Sequence, residues 1–174
     1  ITALFDLNTA LADELATEIG AKAYPQLADI TANADVILTI VTDDQAMDSI
    51  FFGDDNLFTG AQGRVFINCA TLTPDVHTRL EAAGREVGAQ CLEACMASSI
   101  PQARNGELFL MIGGDEAVFN ANKALLDDIS KALHFVGPAG KASEVKALVN
   151  MVMNINTASL AEGLGIADSL GIDL

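Results

Sequence analysis

Short apolar runs that are typical of β-strands alternate with segments of helical periodicity along the chain. The run at residues 36–41, VILTIV, shows no period of two, as expected for a strand that is covered on both faces. Parallel neighbours in a sheet need crossover connections, and helices supply them. The alternation therefore predicts an α/β fold in which a mainly parallel, doubly wound sheet carries helices on both faces.

Apolar periodicity, glycine and proline positions and helix-cap residues give the bounds of the predicted elements. Residues 95–106 are expected to form a loop, and GPAG at residues 137–140 precedes a long helical stretch without an internal proline. Predicted strands are residues 1–7, 21–24, 36–41, 63–68, 90–94, 107–112 and 132–136, and predicted helices are residues 8–19, 25–32, 44–52, 73–84, 115–126 and 142–171.

Composition limits the environment in which the chain can fold. Hydrophobic residues make up 51% of the 174 residues, which is enough for a substantial core. No apolar run approaches the roughly 18 residues that a membrane span needs. The start at Ile1 has no signal-peptide pattern. We therefore expect a soluble, cytoplasmic protein that does not interact with a membrane.

The charge balance and the cysteines exclude further classes. The formal net charge is −15, with 9 Lys and Arg against 24 Asp and Glu. Such a surface repels nucleic acid phosphates and anionic lipids, so neither is an expected partner. Cys69, Cys91 and Cys95 are odd in number and lack the spacing of metal ligands. They are expected to be buried, reduced thiols, and no metal site is predicted.

Polar side chains follow several predicted strands, where a doubly wound sheet places its ligands. Asp6 follows the first strand and is either a partner for ribose hydroxyl groups or part of the next helix start. Val41 and Thr42 end the third strand, and Thr71 follows the fourth. These positions suit contacts with a cofactor, yet Thr, Asp and Pro are also common at helix starts. The residues alone leave both interpretations open.

A lysine and an asparagine share one face of the long C-terminal helix. Lys146 and Asn150 are four residues apart in an otherwise apolar setting. A lysine that faces a closed cleft can transfer a proton near neutral pH. The alternative is a lysine that extends outward from an amphipathic helix into solvent.

Three segments match motifs that occur together in one enzyme family. Residues 5–8, FDLN, are similar to the strand end of its NAD-preferring members, and residues 69–74, CATLTP, resemble its S-T-I-x-P segment. Residues 140–150, GKASEVKALVN, resemble G-x-G-x-x-x-K-x-x-x-N, with Ala142 at the second glycine. The chain thus resembles the β-hydroxyacid dehydrogenase family, which includes 3-hydroxyisobutyrate dehydrogenase, tartronate semialdehyde reductase and the glyoxylate/succinic semialdehyde reductases.

The substrate loop of that family also has a diverged counterpart. Residues 93–99, EACMASS, are similar to its D-A-P-V-S-G-G, and its A-x-x-G-x-L follows at residues 103–108. Ala97 stands where many members carry the serine that binds the substrate carboxylate, while Ser98 and Ser99 replace two glycines. Ser98 and Ser99 are predicted substrate contacts by this resemblance, although serines after a strand are often only turn residues.

The resemblance implies an architecture in two parts. Residues 1–140 would form a truncated, Rossmann-like dinucleotide-binding domain, and residues 141–174 an interdomain helix. The first strand with its glycine-rich G-x-G-x-x-G turn and the all-helical C-terminal domain of the family are expected to be missing from the chain. A homodimer or tetramer is expected when the helical domain is present.

The resemblance also implies a chemistry. Lys146 would be the general acid/base while hydride passes between nicotinamide and a small 3-hydroxy acid or its semialdehyde, and Asn150 would orient the substrate. NAD is the expected cofactor and NADP the less favoured one. The alternatives are a non-catalytic nucleotide-fold interaction module and an inactive fragment of such an enzyme. The predicted cofactor contacts are Asp6, Val41, Thr42 and Thr71.

Overall fold

The computed structural model of the chain describes residues 1–173. In that range strands and helices alternate throughout, which confirms the predicted α/β class. The strands are β1 (Ala3–Leu4), β2 (Lys22–Ala23), β3 (Val36–Thr39), β4 (Val65–Asn68), β5 (Gln90–Met96), β6 (Leu108–Gly114) and β7 (Ser130–Gly137). The helices are α1 (Thr9–Ile19), α2 (Leu27–Asn33), α3 (Asp44–Phe52), α4 (Pro74–Glu86), α5 (Ile100–Arg104), α6 (Glu116–Ile129) and α7 (Lys141–Ser169).

The strands form two sheets. β1 and β2 pair in parallel, and the other five strands lie in the order β3-β4-β5-β6-β7. All pairs in the larger sheet are parallel except β5 with β6, which are antiparallel. The prediction of a mainly parallel, Rossmann-like sheet is therefore confirmed, with β6 and β7 running opposite to β3, β4 and β5.

Both faces of the larger sheet are covered, as its continuously apolar strands predict. Phe66 and Ile67 are neighbours in β4 and point to opposite faces, and each is fully buried. Phe66 belongs to a first core built with α2, α3 and α4, and Ile67 to a second core built with α6. The helices on the two faces hold the sheet in a water-excluded layer.

The segment between β5 and β6 differs from the prediction. β5 extends to Met96, and α5 forms at Ile100–Arg104, so the prediction of one loop over residues 95–106 is wrong there. Ser99 precedes the helix, and its backbone N–H donates to Gln102 Oε1 at 3.2 Å. A helix of five residues is too short to show helical periodicity in the sequence, which is why it was not predicted.

The last helix, α7, is 29 residues long and leaves the sheet after its first turns. Ala142 and Ser143 are buried, whereas almost every side chain after Asn150 is exposed, apolar ones included. Even so, none of the helices in residues 1–173 combines the length and the apolar character that crossing a membrane requires.

Candidate functional site

Five of the predicted site residues lie at one edge of the larger sheet. β3, β4 and β5 are parallel neighbours, so their carboxyl ends meet at this edge. Val41 and Thr42 follow β3, Thr71 follows β4, and Ser98 and Ser99 follow β5. Val41 is half-buried against the first core, and the other four side chains are exposed. The fold therefore gathers them where a doubly wound sheet binds its ligands.

Asp6 follows β1 in the two-stranded sheet. Its Oδ1 accepts a hydrogen bond from the backbone N–H of Asn8 at 2.7 Å, and Asn8 caps α1. The exposed side chain borders a depression of about 410 Å³ that Leu11 and Leu15 also line. Asp6 takes part in the helix start, and its carboxylate is also open to a ligand.

Hydrogen bonds join the start of α3, which follows β3, to the residues before α4, which follows β4. Asp43 caps α3 by accepting from the backbone N–H of Ala46 at 2.8 Å, and Thr42 donates to Asp43 at 3.1 Å. Asp44 accepts from both the backbone N–H and the hydroxyl of Thr73, at 3.0 and 2.7 Å. These two bonds lower the pKa of Asp44. The polar residues after these strands thus have the helix-start role that their types allow, and Thr71 beside them remains exposed.

The two predicted substrate serines differ in what their hydroxyl groups do. Ser98 Oγ accepts a hydrogen bond from the backbone N–H of Phe109 at 2.8 Å, which leaves the hydroxyl hydrogen of Ser98 for another acceptor. The Ser99 hydroxyl lies against Gln102 Oε1 and donates to it. Ser98 is therefore the more available donor of the two.

Lys146 and Asn150 share the partly covered face of α7. Both are half-buried, while Ala147, Leu148 and Val149 between them are exposed. Val145, next to Lys146 in α7, packs against the buried cluster that contains Cys95 of β5. The predicted common face is therefore present, and it points back toward the carboxyl end of β5.

The start of α7 is bound to β5 by a buried glutamate. Gly140 precedes the helix and has no side chain to cap it. Glu93 in β5 takes over that role: its Oε1 accepts from the Ala142 N–H at 2.7 Å, and its Oε2 accepts from the Ser143 N–H at 3.3 Å and the Ser143 hydroxyl at 2.7 Å. A buried carboxylate needs such donors, and the positive end of the helix dipole favours it.

A histidine completes this buried cluster. His77 in α4 is 2% exposed, its Nε2 lies 3.6 Å from Glu93 Oε2, and neither ring nitrogen has a hydrogen-bond partner in the described chain. Burial lowers the pKa of His77, while the charges of Glu93 and Asp44 act in the opposite direction. Sequence patterns did not single out His77 or this role of Glu93. The available signal was a charged residue inside the apolar run CLEAC.

The cluster also offers atoms of the kind that bind metals. His77, Glu93 and Cys95 bring one such atom each within 4.8 Å of one another. Burial raises the pKa of the Cys95 thiol to about 11, so this sulfur is a protonated thiol near neutral pH. The carboxylate already accepts three hydrogen bonds from α7. The arrangement therefore favours an anchor for the helix over a metal site.

Comparison with known proteins identifies a family that matches most of the chain. The family described as the NAD binding domain of 6-phosphogluconate dehydrogenase matches residues 2–137. The chain is 28% identical over 171 residues to a mitochondrial 3-hydroxyisobutyrate dehydrogenase of Drosophila melanogaster, covering 98% of this chain and 52% of that protein. It is 27% identical over 164 residues to 2-hydroxy-3-oxopropionate reductase of Escherichia coli (strain K12), covering 94% and 56%.

A further curated protein and a solved structure are also similar to the chain. Cytokine-like nuclear factor N-PAC of Drosophila melanogaster is 26% identical over 159 residues, covering 90% of this chain and 26% of that protein. The structure of an imine reductase variant from Myxococcus stipitatus in complex with NAD+ superposes with a TM-score of 0.89 at 22% identity, covering 99% of this chain and 59% of that one. At that identity the superposition shows a shared fold.

The chain spans about half the length of the two curated enzymes that it matches first, at 52% and 56%. The family match itself runs through β1 to β7 and stops just before α7. The chain therefore belongs to the family described as the NAD binding domain of 6-phosphogluconate dehydrogenase.

Proposed function

We propose that the protein is an NAD-dependent oxidoreductase that transfers a hydride between nicotinamide and a small 3-hydroxy acid or its semialdehyde. The family membership and the names of the enzymes that the chain resembles support this activity. The observation that carries the proposal is the half-buried Lys146, on a helix whose start is bound to β5 and whose Val145, next to Lys146, packs against the cluster containing Cys95.

In the proposed reaction Lys146 is the general acid/base. In the reducing direction its ammonium gives a proton to the carbonyl oxygen of the substrate as hydride reaches the carbonyl carbon, and in the oxidising direction its amine takes that proton back. The bound nicotinamide supplies or accepts the hydride. Asn150, one turn further along the same face, orients the substrate.

The residues at the strand ends fit a dinucleotide. Asp6 would accept hydrogen bonds from ribose hydroxyl groups, and a carboxylate there repels a 2′-phosphate, which favours NAD over NADP. Thr42 and Thr71 are exposed at the sheet edge where the cofactor would lie, beside Val41. Ser98 has a free hydroxyl hydrogen for a substrate carboxylate, and Ser99 would first have to release Gln102.

The further architecture is part of the proposal. Residues 141–174 would connect the nucleotide-binding domain, residues 1–140, to a helical domain that covers the apolar face of α7. That face is exposed beyond Asn150. We also predict that the protein forms a homodimer or tetramer. Besides the cofactor, the predicted ligand is a small hydroxy acid or aldehyde acid.

The first test is the Lys146→Ala variant of the full-length protein. We expect kcat for NADH-dependent reduction of semialdehydes and glyoxylate to fall by roughly 10²- to 10⁴-fold, the usual contribution of general acid/base catalysis. The dissociation constant of NADH should stay within about twofold, because Lys146 acts on the substrate oxygen. NADPH in place of NADH tests the cofactor preference.

Lys123→Ala is the matched control, because Lys123 is exposed on α6 and paired with Asp127. Its kcat should equal that of the wild type. Wild-type protein that binds NADH but converts no hydroxy acid, semialdehyde or glyoxylate would refute the enzymatic proposal. It would favour a non-catalytic interaction module, for which the similarity to a protein named as a nuclear factor is the supporting observation.

A further inference from the structure

We propose that Glu93 is a positioning residue: its buried carboxylate fixes the first turn of α7 and thereby the place of Lys146. The catalytic consequence rests on the proposed function, whereas the effect on the position of Lys146 can be measured without it. No sequence motif assigned this role, because the three donors come from residues 49 and 50 positions away in the chain.

The anchor is needed because α7 has no cap of its own. The first N–H groups of a helix have no partner inside the helix, and Gly140 has no side chain that could accept from them. The Lys141 N–H is bound within the preceding turn to the Pro138 carbonyl at 3.1 Å. The next two N–H groups, of Ala142 and Ser143, depend on Glu93.

Glu93 itself is held in a rigid setting. It lies in β5, which is paired on both sides, and its side chain is fully buried. Gly113 stands opposite Glu93 in β6, and an added Cβ there would lie 2.1 Å from Glu93 Oε1. His77 covers the carboxylate from α4. The position of the carboxylate is therefore set by the sheet and by a second helix.

The anchor and the proposed acid/base are one turn apart. Lys146 follows Ser143 by three residues, so the two lie on one side of α7 about 4.5 Å apart along the axis. Cys95, two residues beyond Glu93 in β5, contacts the Ser143 hydroxyl at 3.6 Å, and Val145 beside Lys146 packs against the cluster that contains Cys95. A first turn that loosens would move Lys146, and a displacement of about 1 Å can cost on the order of 10²-fold in rate.

The decisive variant is Glu93→Gln in the full-length protein. Glutamine keeps the shape but offers one acceptor oxygen, so in either orientation its NH₂ group faces a donor of α7. We expect amide hydrogen exchange in residues 141–146 to accelerate by about 10-fold or more. We also expect faster acylation of Lys146 relative to Lys123 in the same sample, and a kcat about 10- to 100-fold lower with an unchanged NADH dissociation constant.

Three further variants separate positioning from general damage. Glu86→Gln removes the same charge from an exposed glutamate in α4, outside the proposed site, and should change none of these readouts. Glu93→Asp keeps the charged acceptor and should recover part of the exchange protection and of kcat. In a double-mutant cycle, adding Glu93→Gln to Lys146→Ala should lower kcat no further, because Glu93 acts through Lys146.

The outcomes distinguish the two proposals. Unchanged exchange and unchanged Lys146 acylation in Glu93→Gln would overturn the positioning role, whether or not the protein converts a substrate. Faster exchange with unchanged kcat would overturn the link to Lys146. Absence of turnover in the wild type would refute the proposed function alone, since exchange and acylation still decide the positioning. If Glu93→Gln does not fold, Ser143→Ala, which removes one donor, should shift exchange in the same direction.

Discussion

At the scale of single residues, Gly113 is where the absence of a side chain matters most. We expect Gly113→Ala to lower the free energy of unfolding by roughly 1 to 3 kcal/mol, the usual cost of inserting a methyl group into a filled core. The added Cβ would lie 2.1 Å from Glu93 Oε1 and 2.8 Å from its carboxyl carbon, so the carboxylate must move. Urea unfolding at pH 7 measures the change.

Gly163→Ala is the matched control, because a Cβ at Gly163 in α7 meets nothing within 4 Å. There alanine should be neutral or stabilise by about 0.5 to 1 kcal/mol, since it favours a helix more than glycine does. Equal effects of the two substitutions would contradict the steric argument.

At the scale of residues, sequence patterns predict only relationships between residues that are close together in the chain. The spacing of Lys146 and Asn150 predicted a shared helix face, and both lie on the half-buried face of α7. The setting of Glu93 and His77 could not be predicted, because it depends on β5, α4 and α7 meeting in space. Their partners are remote in sequence, and no periodicity reports such a meeting.

At the scale of elements, α2 repeats the arrangement found at α7. Gln26 precedes α2 without capping it, and Asp55 from a distant loop accepts from the N–H groups of Leu27 and Ala28 at 2.7 and 3.1 Å. We expect Asp55→Asn to destabilise the protein by about 1 kcal/mol, because asparagine has one acceptor oxygen and leaves one of these two N–H groups without a partner. The midpoint of urea unfolding measures this.

The neighbouring Asp54 provides the control for that change. Asp54 is exposed, and Asp54→Asn removes the same charge from the same loop without touching α2. Its unfolding midpoint should match that of the wild type. A shift as large as that of Asp55→Asn would mean that loop charge, and not capping, is responsible.

At the scale of the whole molecule, charge repulsion opposes folding. The net charge of −15 is spread over a small chain, so like charges repel one another in the folded state. Exposed ion pairs such as Arg79–Asp48 and Lys123–Asp127 contribute little to the free energy of unfolding. Raising NaCl from about 10 mM to about 200 mM should therefore raise Tm by a few degrees, because screening reduces the repulsion more than it weakens the pairs.

Choline chloride at the same concentrations should produce the same rise if screening is the cause. A Tm that falls with salt would show that the ion pairs dominate. A rise with sodium alone would indicate specific cation binding.

The sequence was sufficient to predict the fold class because alternation of strands and helices is a local property. It was not sufficient to predict that β1 and β2 pair apart from the other strands, or that β6 runs against β5. Pairing partners and direction depend on contacts between distant segments. The strand-end residues Thr42 and Thr71 were found because parallel strands share one edge, a rule that holds once the sheet is recognised.

The two cores described above lie on opposite faces of the larger sheet, and only one of these faces carries the anchor of α7. Glu93, His77 and the start of α7 lie on the sheet face to which Cys91 of the first core also points, beside a small third cluster of Cys95, Met111 and Ala142. The stacked rings of Phe119 and Phe135, 5.3 Å apart, lie on the other face. For protein engineering this makes the α6 face the place to repack. Improved packing there can raise stability while the residues that hold Lys146 keep their positions.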